Sequence, residues 1–79
     1  MAKKRTSRRS YFVVCLQNDG YPASLEARKI YRALPDDEAA RLKHIRVIDE
    51  SGEDYLYPAS FFATISLPAT VERKFKKAG

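Results

Sequence analysis

Asp49, Glu50, Glu53 and Asp54 put four carboxylates within six residues, the densest charge in the middle of the chain. Hard divalent cations are held by several oxygens, so such a cluster points to a cation site or to an acidic hairpin that holds a basic partner. The spacing is not the Asp-x-Asp-x-Asp-Gly of a calcium loop, and alternate residues of a strand face opposite ways. A solvated hairpin tip is the plainer reading, and neither metal nor cofactor is expected.

The second candidate set is aromatic. Tyr21, Tyr31, Tyr55, Tyr57 and Phe61 would line a partner groove if they are exposed together, because rings offer contact area at small entropic cost. In a chain this small the same rings are also wanted for the core. His44 and Cys15 are the sole residues of their kinds. Nucleophilic catalysis would require them within hydrogen-bond reach, with a third group to orient the base. Cys15 sits in an apolar run, where a thiol acts as a small hydrophobe. No catalytic residue is assigned, and no enzyme is expected.

The third set is basic. Of the net charge of +5, the first ten residues carry Lys3, Lys4, Arg5, Arg8 and Arg9. The C-terminal end carries Arg73, Lys74, Lys76 and Lys77 against Glu72, whereas the stretch between has six basic and nine acidic residues. The body is mildly acidic, so attraction to phosphates would come from the ends, through counterion release. Solubility explains such ends equally well.

These residues have to be positioned by one small domain. Seventy-nine residues leave a thin stability margin, since a domain of this size buries only about 60% of its unfolded surface. One cysteine excludes an internal disulfide and suggests a cytoplasmic protein. No apolar run reaches the ~20 residues of a membrane span, so no membrane partner is expected, and the chain reads as a monomer.

The polar segment 1–10 reads as a disordered arm. Tyr11 to Leu16 is a continuous apolar run of strand formers that reads as a strand covered on both faces or one at a barrel seam, and it leads into the turn Asn18-Asp19-Gly20-Tyr21-Pro22. Residues 23–34 fit two patterns. Ala23, Ala27, Ile30, Tyr31 and Leu34 fall at helical spacing behind a possible Ser24 cap, and Arg28 to Leu34 alternate as a strand does. The strand is favoured, because a lone hairpin needs a further strand to complete its sheet. Pro35-Asp36-Asp37-Glu38 opens a short helix with acids in its first turn and Arg41 and Lys43 toward its end. Two runs, about His44–Asp49 and Asp54–Tyr57, flank Gly52 as a hairpin. Pro58 stops the second run, and Ala59 to Phe62 is a 3₁₀ turn. Ala63 to Leu67 is a last strand, and residues 68–79 are a basic tail in which Val71 and Phe75 fall on one side of a frayed helix. Five short strands between residues 11 and 67 suggest a mostly β fold, a small barrel with one short helix between its second and third strands.

The order of a long first loop, a hairpin, then Tyr57-Pro58-Ala59-Ser60-Phe61-Phe62 resembles the end of an SH3-type barrel. In that family a Pro-Ser-Asn-Tyr-Val-like 3₁₀ turn leads into the fifth strand. By resemblance, Pro58 matches the proline, Phe61 the groove aromatic and Phe62 the buried aliphatic. The chain has no Trp, and its first loop keeps only Asp19 of the family's acidic cluster, so proline-rich peptide binding is not implied. Residues 11–67, above all Arg46-Val47-Ile48-Asp49-Glu50-Ser51-Gly52-Glu53-Asp54-Tyr55-Leu56-Tyr57-Pro58, also look similar to a family of small, uncharacterised bacterial proteins. That likeness implies a bacterial cytosolic origin and no particular activity. The expectation is a non-enzymatic binding module for a protein partner, with an RNA- or DNA-associated barrel held by its tails as the alternative.

Overall fold

In the computed structural model, residues 10–78 are described, with side chains as far as Lys74. The arm residues Lys3, Lys4, Arg5, Arg8 and Arg9 lie outside them. Five strands form the fold: β1 (Tyr11–Cys15), β2 (Ile30–Leu34), β3 (His44–Ile48), β4 (Asp54–Pro58) and β5 (Phe62–Ile65). A short helix, α1 (Asp37–Arg41), joins β2 to β3. A 3₁₀ turn (Ala59–Phe61) joins β4 to β5, and α2 (Ala69–Ala78) follows.

All pairings are antiparallel, in the order β4-β3-β2-β1-β5. The sheet is unclosed, with β4 and β5 at its two edges. The expected closure into a barrel therefore does not extend to a β4–β5 ladder. The 3₁₀ turn carries the chain from the β4 edge to the β5 edge.

The residues 23–34 are resolved in favour of the strand. Ile30 to Leu34 pair with β1 on one side and β3 on the other, and residues 22–29 are turns and irregular chain. The helical pattern of Ala23, Ala27 and Ile30 lost because a central strand gains two ladders, which a lone ten-residue helix cannot match. The chain enters β2 through Arg28 in the left-handed region (φ +70°), with its N–H on the Cys15 carbonyl at 2.6 Å.

Helix α1 starts where its composition places it. Asp36 is its N-cap, and the carboxylate accepts the Ala39 N–H at 3.0 Å. It ends as Lys43 turns left-handed (φ +62°), donating its N–H to Ala40. The C-terminal tail is helical over Ala69–Ala78.

One face of the sheet carries the core. Val13, Cys15, Tyr31, Ala33, Val47, Tyr57 and Phe62 alternate inward from all five strands and meet Leu25 from the long β1–β2 connection. Phe12 is buried as well, on the opposite face, so β1 is covered on both sides as its unbroken apolar run suggested. Leu25 is almost fully buried although it belongs to no strand or helix. Burying such a side chain contributes about 1.5–3 kcal/mol, enough to hold a loop down.

Candidate functional site

The β1–β2 connection and the β3–β4 hairpin meet at the same end of the core, where Asp49, Glu50, Tyr31 and Tyr57 come together. Asp49 continues β3 with the parity of Ile45 and Val47, so its carboxylate points toward the core, and it is 6% exposed. Buried charge must be compensated. Asp49 accepts the Tyr57 hydroxyl at 2.5 Å, the Ser51 hydroxyl at 2.6 Å and the Ser51 N–H at 2.9 Å. Burial alone would raise its pKa, but the hydrogen bonds from Ser51 and Tyr57 outweigh burial and hold it below the usual carboxylate range. The Tyr57 hydroxyl lies 3.0 Å from Ser24 Oγ. Burial, then the adjacent Asp49 charge, push the Tyr57 hydroxyl up.

Glu50 faces the other way and does a parallel job. Its Oε2 accepts Lys29 Nζ and the Tyr31 hydroxyl, each at 2.6 Å. These two bonds lower its pKa, and the Tyr31 oxygen also accepts the Glu26 N–H at 2.8 Å. The Glu50 N–H donates to the Ser24 carbonyl, so backbone and side chains tie hairpin to loop together. Asp54 is held by Arg46 at 2.9 Å, and the same guanidinium reaches Asp36 at 2.8 Å. Glu53 receives the Tyr55 hydroxyl at 3.2 Å.

The four carboxylates are therefore spread over separate partners instead of converging. Among the described residues, no three His, Cys, Asp or Glu side chains stand close enough to hold a metal ion. Glu50 latches the first loop, whereas Asp49, Glu53 and Asp54 brace the hairpin from within, and Asp49 reaches the loop only through Tyr57 and Ser24. Sequence alone missed the braces' other ends, Ser24, Lys29 and Arg46. The local signal in Asp49-Glu50-Ser51-Gly52, an Asx-type turn, reaches no further than the Asp49–Ser51 bonds and points to none of the three.

The aromatic set divides. Tyr31 is 6% and Tyr57 3% exposed, so both belong to the core and line no open groove. That corrects the expectation of five rings in one surface: the strand parity that turns Val13 and Val47 inward takes these two with it. Tyr55 shares their parity but sits at the open edge, and it is exposed. Tyr21 and Phe61 do come together. Tyr21, from the first loop, is exposed, with its ring edge-on to Tyr57 at 4.9 Å and to Phe61, from the 3₁₀ turn, at 6.2 Å. Phe61 is half-buried, its carbonyl accepting the Leu16 N–H at 2.7 Å.

Cys15 is fully buried, its thiol donates to the Gln17 carbonyl at 3.2 Å, and burial pushes its pKa up. His44 is exposed at the start of β3. It borders a cavity of about 420 Å³ that Tyr11, Leu34, Asp36 and Arg46 also line. Arg73 and Lys74 are exposed on α2, whereas the side chains of Lys76 and Lys77 lie outside the described residues.

No family model, curated protein or solved structure matches this chain. The geometry has to be read on its own terms. No helix among the described residues is long and apolar enough to cross a membrane.

Proposed function

We propose that the chain is a non-enzymatic binding module that holds a protein partner where the β1–β2 connection meets the 3₁₀ turn. The observation that carries this reading is the packing of the exposed Tyr21 ring against Phe61 and Tyr57. Two rings from distant parts of the chain present a fixed apolar step at the surface, backed by core, which is the form a low-entropy contact surface takes. Its support is the set of ties from hairpin to loop, Glu50 to Lys29 and to the Ser24 carbonyl and Tyr57 to Ser24.

The finer fold reading is SH3-like. Support comes from the antiparallel strand order and from the 3₁₀ turn placed between β4 and β5. The ring pair also stands between the first loop and that turn, where the resemblance places a groove aromatic at Phe61.

The test is capture from a native bacterial extract with immobilised wild-type chain and with Tyr21→Ala. The reading expects a defined protein retained by the wild type and lost from the variant, with unchanged circular dichroism. Equal retention by both would remove the ring step as the binding surface. The alternative, nucleic-acid association through the ends, is favoured by the charge distribution alone. It predicts steeply salt-dependent retention of RNA or DNA that Tyr21→Ala leaves intact.

A further inference from the structure

We propose that β4 pairs edge to edge with β4 of a second copy of this chain, forming an antiparallel two-fold dimer. The monomer suggested by the sequence would then be only the dilute form. The proposal is independent of the ring step and starts from the hydrogen-bond phase of the β3–β4 ladder.

The Asp49 N–H bonds the Glu53 carbonyl and the Ala59 N–H bonds the Lys43 carbonyl. Ile48–Asp54 and His44–Pro58 are therefore non-hydrogen-bonded pairs, and by alternation Val47–Tyr55 and Ile45–Tyr57 carry the ladder. The backbone groups of Asp54, Leu56 and Pro58 consequently turn away from β3 toward open solvent. No strand lies beyond them, and among the described residues no backbone hydrogen bond outside the sheet reaches them. The side chains along this edge are open as well: Tyr55 is 51% and Leu56 44% exposed.

The other edge is less available. The Leu16 N–H bonds the Phe61 carbonyl, which by the same phase argument turns Phe62 and Thr64 outward on β5. The Phe62 N–H is already used by the Ala59 carbonyl, so Thr64 alone has a donor to offer.

The β4 edge is complementary to itself. With Leu56 on the two-fold axis, each Leu56 N–H meets the Leu56 carbonyl of the second copy. Each Asp54 N–H then meets the Pro58 carbonyl of the second copy, so the donor that proline lacks leaves just the Asp54 carbonyl without a partner strand. Leu56 lies against Leu56 on one face, and the exposed Tyr55 lies against Tyr57 of the second copy on the other. Charge selects the occupant and the direction. Glu53 and Asp54, the latter also ion-paired to Arg46, put carboxylates at one end of the edge, whereas Lys43 flanks its Pro58 end. Antiparallel pairing of two copies sets each acidic end beside the other copy's basic end. A register shifted so that Asp54 meets Leu56 draws the two acidic ends together, which disfavours it.

Sedimentation equilibrium of the full chain across a wide concentration range tests this, with amide exchange read on the same samples. The expected result is a mass that rises toward twice the 9.0 kDa chain, with exchange of the Asp54 and Leu56 amides slowing in step. Leu56→Pro removes the central donor but leaves the β3–β4 ladder its Tyr55 and Tyr57 donors, so that variant should stay at single-chain mass. Should proline unfold the edge, Leu56→Lys keeps the backbone and opposes like charges on the axis, with the same expected loss. The proposal is overturned by a single-chain mass at every concentration or by a dimer that survives in a folded Leu56→Lys variant. It is equally overturned by association without protection of those two amides. Protection conferred only by an added lysine-rich peptide, with the chain monomeric, would make the edge a peptide site and refute self-pairing.

Discussion

The Tyr57 hydroxyl donates to the Asp49 carboxylate at 2.5 Å, across the hairpin that the intervening residues form. Both groups are buried, so each is the other's compensation for lost water. Tyr57→Phe should cost about 1.5–3 kcal/mol, the usual range for a hydrogen bond to a charged group. Asp49→Ala should cost more, because it also strands the Ser51 donors. Denaturant unfolding of both variants and of the double variant should show a combined cost well below the sum of the two. Strict additivity would mean that the pair is not coupled.

Phe62 and Phe61 are adjacent in sequence and opposite in duty. Phe62 is buried in the core cluster near Tyr57, whereas Phe61 is half-buried beside Tyr21. Phe62→Ala should cost about 3–5 kcal/mol, a large part of the 5–15 kcal/mol that holds a typical domain together. Phe61→Ala should lower the melting temperature much less. Equal losses would contradict the inward and outward assignment.

Gly52 adopts φ +88° at the hairpin tip, and a Cβ built there meets nothing within 4 Å. The cost of a side chain is therefore one of backbone conformation and not of space. Gly52→Val should destabilise by about 1–2 kcal/mol, the penalty of the left-handed region for an L-residue. Gly52→Asn, more tolerant of that region, should lose less. A valine variant as stable as the wild type would place the tip in another conformation.

Acid and alkali should unfold the chain for distinct reasons. Asp36, with the Ala39 N–H and then Arg46, and Glu50, with Lys29 and then Tyr31, have pKa values below their ordinary ones, as does Asp49. A depressed pKa means stability that is fully present above the unfolded value, about 4, and lost as pH falls through the folded value. At the other extreme, burial followed by a neighbouring carboxylate raises Tyr31 and Tyr57. Their contribution is intact below the unfolded value, about 10, and declines as pH rises toward the folded one. Unfolding free energy measured from pH 3 to 11 should form a plateau with both shoulders, and Tyr57→Phe should weaken the alkaline one. A profile that keeps rising below pH 4 would contradict the carboxylate assignments.

Local chemistry was enough to lay out most of the elements. The β-branched and aromatic runs, the turn at Gly52, the Asp36 cap and the stop at Pro58 act within a few residues, so strands, helix α1 and 3₁₀ turn were legible from neighbours alone. Where residues 23–34 went was not, because their helical and strand patterns are both locally consistent and only the two flanking ladders decide between them. The destinations of the side chains also required the tertiary fold. Tyr57 meets Ser24 across 33 positions and Lys29 meets Glu50 across 21, and Leu25 fills the core from the irregular β1–β2 connection. Charge composition marked Asp49 as surface. The closing of the first loop over the hairpin made it interior, since a carboxylate with three donors waiting can be buried and one without them cannot.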